Sequence, residues 1–163
     1  MKTTFKALMI AVTILVTSVT VSLAQDYQKA LAAYNKGDYA TALREWKPFA
    51  EQGDAIAQVL LGSMYQRGLG VTKDYAEAVN WYRKAAEQGY AGAQGNLGLM
   101  YYLGNGVIQN IVSAHMWLNI AASNGQEDAV KNRDEIAKKM TASQIAEAQK
   151  LARECVQKNY KGC

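Results

Sequence analysis

The chain has 163 residues, of which 50% are hydrophobic and 20% are charged, and this composition is typical of a globular protein of about one domain. Thirteen glycines, one proline and two cysteines exclude a collagen-like chain, a proline-rich linker and a disulfide-rich miniprotein. The formal charge is +4, and residues 131–163 carry twice as many basic as acidic side chains.

Residues 1–24 have the pattern of a secretory signal peptide. Lys2 and Lys6 precede an apolar stretch, residues 7–21, and Ser22-Leu23-Ala24 is a small-x-small cleavage site. The stretch is shorter than the roughly 20 apolar residues that cross a bilayer. Because Gln25 rather than a cysteine follows, no lipid anchor is expected either. We therefore expect cleavage after residue 24 and a periplasmic or secreted product without a stable membrane span.

An internal repeat of 36 residues dominates the rest of the chain. When residues 50–72 are laid over residues 86–108, 14 of the 23 pairs are identical, which is far more than composition explains. A third copy keeps Ala114, Trp117, Gly125 and Ala129 but then fades. A repeat of this length predicts a solenoid of stacked supersecondary units.

Each unit is predicted to contain two helices, because apolar residues recur at helical spacing between glycine-rich turns. The predicted helices are Tyr27–Lys36, Asp38–Gln52, Asp54–Arg67, Asp74–Gln88, Tyr90–Leu103, Gln126–Met140 and a last helix from Thr141. Asp74 with Glu77, and Thr141 with Gln144, can form capping boxes. Gly89 is expected to end its helix in the left-handed conformation, and Gly98 to allow a neighbouring helix to approach closely. Pro48 is expected to kink the second helix.

Neither helix of such a pair can bury its apolar stripe alone, so the pairs must stack. We predict an all-α, right-handed α/α solenoid of antiparallel helix pairs. Its single domain, residues 25–163, is predicted to comprise an N-terminal helix pair (25–53), two repeats (54–89 and 90–125) and a degenerate repeat with a C-terminal capping helix (126–163).

The repeated residues resemble a known family. The string Ala-x-x-x-Leu-Gly-x-x-Tyr-x-x-Gly-x-Gly-Val occurs at 57–71 and again at 93–107, and Ala-x-x-Trp-x-x-x-Ala-Ala-x-x-Gly follows as residues 114–125. These strings are similar to the Sel-one-like repeat, a branch of the tetratricopeptide-like helical repeats. The third copy departs from the pattern, with Arg133-Asp134 in place of Leu-Gly and Ala137 in place of the tyrosine.

The resemblance implies a non-catalytic scaffold that binds a protein or peptide, with the first helix of each motif lining a concave groove. We call the groove candidates the groove set: Ile56, Val59, Ser63, Gln66, Arg67, Leu99, Tyr102, Leu103, Lys131, Glu135, Lys138 and Lys139, with Gly92, Gly95 and Asp128 at further inner positions. Such a groove has an apolar, glycine-thinned middle and a charged end. It suits an extended peptide or short helix with apolar anchors, whose acidic groups would meet the lysines. The alternatives are that Leu99 and Tyr102 pack against a neighbouring helix, or that an unconstrained surface has drifted.

Cys155 and Cys163 are expected to form a disulfide, because an exported chain enters an oxidising space and no Cys-x-x-Cys redox motif is present. The residues between them, Asn159, Lys161 and Gly162 among them, can turn the chain back. In cysteine-rich members of the resembled family, such a bridge joins adjoining helices.

His115, the only histidine, aligns with core positions of the other copies and is expected to be buried and hydrogen-bonded. We therefore expect no catalytic residue, no metal site and no cofactor. Two other interpretations stay open: a cell-wall or glycan binder, which requires an exposed tryptophan, and an envelope hydrolase. No nucleic-acid partner is expected, whereas the basic C-terminal region permits weak contact with anionic envelope components.

Overall fold

The computed structural model describes residues 25–163, and the regular secondary structure in that range is helical. The predicted signal peptide lies outside the described residues. Eight helices follow in chain order: α1, residues 25–35; α2, Tyr39–Glu51; α3, Ala55–Arg67; α4, Tyr75–Ala86; α5, Ala91–Leu103; α6, Ile111–Ser123; α7, Glu127–Ala137; and α8, Ala142–Gln157. The all-helical prediction is confirmed, and the six helices predicted with both bounds begin within two and end within three residues of the observed ones. No bounds were predicted for α6.

Several helices begin directly after a residue whose side chain caps the first turn. Asp54 accepts a hydrogen bond from the backbone N–H of Ala57 at 2.7 Å, and Asp38 and Asn110 make the equivalent bond in their own helices. Both bonds of the predicted box at Thr141 are present. Asp74 makes only the first half of its box, because the Glu77 carboxylate accepts from Asn80 instead.

The glycine-rich turns lock each repeat onto the one before it. Gly70 and Gly106 have φ of 69° and 72°. A Cβ on Gly70 would lie 2.6 Å from the backbone nitrogen of Ala40, and one on Gly106 would lie 2.7 Å from that of Ala76. The turn after α3 therefore touches the start of α2, and the turn after α5 touches the start of α4, which only glycine permits.

Each helix packs against the next one in sequence from α2 to α7, and α8 packs against α6. A Cβ on Gly98 would lie 2.8 Å from Cγ of Leu118, so the predicted close approach of a neighbouring helix is confirmed. The core runs through the stack as connected apolar clusters, with Trp46 and Leu61 in one and Leu97 and Trp117 in the next. This continuity is what a stacked solenoid requires.

The two ends of the stack depart from the repeat. The helix α2 continues for three residues after Pro48, whose carbonyl accepts from the backbone N–H of Gln52 at 3.0 Å. The helix α7 ends at Ala137, three residues before its predicted end, and buries only Ala129 and Ile136. The predicted capping helix, α8, buries Ala148, Ala152 and Cys155 and leaves most of its polar residues exposed.

Candidate partner-binding groove

In the first repeat, the groove set lies on α3 and its polar members are used in internal contacts. Ile56 is exposed near the start of the helix, whereas Val59 is half-buried against the core cluster of the second repeat. The Tyr82 hydroxyl donates to Oε1 of Gln66 at 2.7 Å, and the Arg67 guanidinium donates to the Tyr34 hydroxyl at 3.3 Å. The end of α3 is therefore tied to both α1 and α4 by polar bonds.

Tyr82 holds this junction because its ring fits against a glycine. A Cβ on Gly62 would lie 2.7 Å from the Tyr82 ring. Burial raises the pKa of Tyr82 to about 12, while a hydrogen bond with Ser63 and the charge of Arg67 oppose the increase. The hydroxyl consequently stays protonated near neutral pH and remains a donor to Gln66. Ser63 and Gln66 thus serve the packing of the first repeat as well as lining its surface.

In the second repeat, the groove set lies on α5 and is apolar. Leu99 and Tyr102 are half-buried, and Leu103 is 56% exposed. A cleft of about 130 Å³ separates this part of α5 from α7; its lining includes Leu99, Tyr102, Asn132, Glu135, Ile136 and Lys139. The structure therefore brings four members of the groove set together in one cleft, and none of the first-repeat members lines it.

At Gly95, the structure differs from the predicted glycine-thinned middle of the groove. Gly95 is buried, and a Cβ there would lie 2.8 Å from Cδ of Gln126. The side chain of Gln126, from the turn before α7, fills the space that the missing Cβ leaves. Gly95 therefore serves the stacking of the third unit, and the prediction that it lines an open surface is wrong.

The groove-set members on α7 and in the turn directly after it form the charged end. Lys131, Glu135, Lys138 and Lys139 are exposed, and the Lys138 ammonium lies 2.6 Å from a Glu135 carboxylate oxygen. The hydrogen bond from Lys138 lowers the pKa of Glu135, and the charges of all three lysines add to this. The Lys139 ammonium donates to the Tyr102 hydroxyl, which raises the pKa of Lys139, and lies 5.2 Å from the centre of the Tyr102 ring. One carboxylate therefore faces three ammonium groups, and one of these contacts the aromatic member of the cleft.

A repeated amide ladder joins the units and was missed by the sequence analysis. Buried Gln58 donates to the carbonyl of Ala50 at 3.0 Å and accepts from Gln88 at 2.9 Å. Buried Gln94 likewise donates to the carbonyl of Ala86 and accepts from Asn124. The available signal was the identity of Gln58 and Gln94 between the copies, since a polar residue repeated among apolar ones indicates a buried hydrogen bond.

The remaining sequence candidates lie in the core. His115 is 3% exposed, as predicted, but its Nδ1 has no hydrogen-bond partner among the described residues, so the expected hydrogen bond is not found there. Its pKa is lowered by burial and then by the charge of Arg133, while Asp134 opposes this. Trp46, Trp81 and Trp117 are all buried, so the exposed tryptophan that a sugar-stacking site requires is not among them.

The predicted disulfide between Cys155 and Cys163 is present, with a Cα–Cα distance of 5.6 Å. It joins α8 to the C-terminal tail and not, as the family resemblance implied, to an adjoining helix. The tail turns back through Asn159, Tyr160 and Gly162, which all have positive φ. Within residues 25–163, no group of three potential metal ligands occurs. Among the helices of that same range, none has the length and hydropathy needed to cross a membrane.

Comparison with known proteins agrees with this architecture. The family model described as Sel1 repeat matches residues 55–90 and 91–126, each one residue later than the repeats predicted from the sequence. No curated protein sequence matches the chain significantly.

Solved structures of other proteins share the fold, among them the three that follow. A protective antigen of uropathogenic Escherichia coli strains, described as displaying an SLR fold, is 30% identical with a TM-score of 0.77 over 85% of this chain. A Sel1 repeat protein from Oxalobacter formigenes is 37% identical with a TM-score of 0.62 over 66% of this chain. The chain spans 31% and 44% of these two proteins. Cysteine rich protein B of Helicobacter pylori is 22% identical with a TM-score of 0.55, covering 68% of this chain and 93% of that protein.

Sel1 repeats generally mediate protein–protein interactions, and the fold is typically a non-catalytic scaffold. The 36-residue repeat, the stacked helix pairs and the two matched segments lead to one assignment: the chain contains two Sel1 repeats.

Proposed function

We propose that this protein is an exported, non-catalytic adaptor that binds a protein or peptide partner along the groove set, in the periplasm or after secretion. The observation that carries the proposal is the cleft between α5 and α7, where Leu99, Tyr102, Glu135 and Lys139 meet. An apolar wall beside charged groups is the usual composition of a peptide-binding groove. Leu99 and Tyr102 supply the apolar anchor, and the lysines select for acidic groups on the partner.

Export rests on two observations of different kinds. The first 24 residues have the pattern of a cleavable signal, and the Cys155–Cys163 bridge is of the kind that forms and persists in oxidising compartments. The mass of the protein recovered from an envelope fraction tests this, since cleavage should leave Gln25 as the first residue. The exposed lysines of α7 would also permit weak contact with anionic envelope components.

The test of partner binding is affinity purification from the native envelope after cross-linking. Leu99→Asp places a carboxylate on the apolar wall, next to Glu135, and should remove a partner that wild type captures in stoichiometric amount. Leu31→Asp is the matched control, because Leu31 is an exposed leucine on α1 and outside the cleft. Equal capture by Leu99→Asp, wild type and Leu31→Asp would reject the groove as the binding site. Circular dichroism of each variant must show an intact fold.

A further inference from the structure

The first helices of the two repeats, α3 and α5, differ in where their variable apolar side chains lie. In α3 these side chains lie near the start of the helix, and in α5 they lie near its end. Near its start, the first repeat has Ile56, Val59 and Leu60, where the second has Gly92, Gly95 and Asn96. Toward its end and in the turn that follows, the first repeat has Ser63, Gln66, Arg67 and Thr72, where the second has Leu99, Tyr102, Leu103 and Ile108. Four of the five differences in this stretch run from polar to apolar, and the fifth, Leu69 against Asn105, runs the other way.

Two of these apolar residues are left in solvent. Leu103 is 56% exposed and Ile108 is 90% exposed, although the equivalent positions of the first repeat show that arginine and threonine are compatible with the fold. A single exposed apolar residue needs no explanation. Here two exposed apolar residues stand where the first repeat has polar ones, close in the chain to a half-buried tyrosine, and they leave apolar surface available to a partner.

The turn after α5 brings these residues to one end of the repeat. The side-chain amide of Gln109 donates to the carbonyl of Tyr102 at 2.8 Å, and the backbone N–H of Asn110 donates to the carbonyl of Tyr101 at 3.0 Å. The chain from 104 to 110 is thus folded back onto the end of α5. We call Tyr102, Leu103 and Ile108 the exit patch.

The charge beside the exit patch is positive. The Lys139 ammonium contacts both the hydroxyl and the ring face of Tyr102. Among the groove positions of this region, Lys131, Lys138 and Lys139 outnumber the two carboxylates, Asp128 and Glu135, so the group carries one net positive charge. Acidic groups on a partner would therefore be attracted to the same place as its apolar side chains.

We propose that the exit patch is the anchor site for the partner, and that the partner presents an acidic peptide segment with a large apolar side chain next to its carboxylates. This inference rests on the proposed function and deepens it. It extends the contact surface beyond the α5–α7 cleft onto the turn that carries Ile108. It also assigns partner choice to the second repeat, since the first has polar residues at the equivalent positions.

The experiment selects short peptides from a random library on the full, oxidised protein and measures their affinity by fluorescence anisotropy. Selected peptides should be enriched in Asp or Glu beside Leu, Ile or Phe. The double variant Leu103→Arg with Ile108→Thr carries the first repeat's own residues, so its fold should be preserved. We expect it to weaken the selected peptides at least tenfold. The matched control, Leu31→Arg, exposes the same new charge on α1 and should leave binding unchanged.

Several outcomes overturn the inference. Selected peptides that are basic or lack apolar residues contradict the chemistry of the partner, as does a failure of the library to yield any binder. Peptides that bind the double variant as tightly as wild type contradict the location. If Leu99→Asp abolishes binding while the double variant does not, the exit patch is wrong and the groove function stands. If neither changes the binding of the peptides or the capture of the native partner, the groove function fails as well.

Discussion

In the first repeat, the end of α3 is tied to its neighbours by polar bonds from Gln66 and Arg67, whereas in the second the end of α5 presents Leu103 and Ile108 to solvent. Yet both repeats bury the same leucine, methionine and glutamine and turn on the same glycines. The shared buried core and the turn glycines are thus the same in both copies, whereas the end of the first helix is bonded to neighbouring helices in one copy and presents apolar residues in the other. This contrast separates the packing framework from the surface that we propose is functional.

The largest expected effect comes from truncating the shared core. Leu61→Ala and Leu97→Ala each remove a fully buried side chain and should lower the free energy of unfolding by about 2–5 kcal/mol. Leu103→Ala should change it by less than about 0.5 kcal/mol, because the residue is exposed. Denaturant unfolding of the three variants measures the contrast. If Leu103→Ala lowered the free energy of unfolding as much as the other two variants, Leu103 would belong to the packed core and not to the surface.

The next effect comes from the turn glycines. Gly106→Ala combines a positive φ with a Cβ pressed against the backbone at the start of α4, and should cost about 2–4 kcal/mol. Gly125→Ala is the control, because its φ of 93° is also positive but the space around it is open. It should cost only about 1–2 kcal/mol. Equal losses in thermal unfolding would show that φ alone, and not the contact between repeats, requires glycine.

A smaller effect is expected from the amide ladder. Gln94→Ala removes two hydrogen bonds, one to the carbonyl of Ala86 and one from the amide of Asn124. The backbone N–H of Gly89 and the Tyr160 hydroxyl remain as partners of these groups, so the loss should be that of the two bonds, about 1–3 kcal/mol. Gln58→Ala should cost about the same, since Gln58 makes the equivalent bonds. Gln157→Ala, at an exposed position, should be neutral to within about 0.5 kcal/mol. Unequal results for Gln58 and Gln94 would mean that the ladder does not act alike in both units.

The smallest effect concerns pH. The pKa of His115 is lowered by burial, whereas histidine in an unfolded chain titrates near 6.5, so the unfolded state takes up a proton first. Stability should therefore fall as the pH decreases below about 6.5, toward the lowered folded-state value. His115→Leu should reduce this dependence of stability on pH. Leucine is the residue at the equivalent position of the first helix pair, Leu43. Melting temperatures between pH 7.5 and pH 5 test it, and an unchanged slope in the variant would contradict it.

Much of this fold could be predicted because its signals are local. The capping box at Thr141 and the left-handed conformations of Gly89 and Gly104 depend on residues a few positions apart. The filling of Gly95 by Gln126 depends on which turn meets which helix, and spacing alone does not contain that information. The short α7 follows the loss of the Leu-Gly pair at Arg133 and Asp134, so the weakening of the motif was visible although its end point was not.

The groove set illustrates the same limit. The sequence placed Leu99, Tyr102, Glu135 and Lys139 on helices that the structure brings together in one cleft. It did not show that Gln66 and Arg67 are bonded to tyrosines of other helices, because those contacts join residues 16 and 33 positions apart. The exposure of Ile108 likewise depends on how the turn folds back on α5.

Site-specific photo-cross-linking in the native envelope tests the central claim most directly. A photoreactive residue at Leu103, on the surface of the second repeat, should capture the partner. The same residue at Asn80, which is exposed on α4 beside Arg83 and Lys84, should not. Capture at Asn80 without capture at Leu103 would contradict the account, because it would place the working surface on the other helix of the pair.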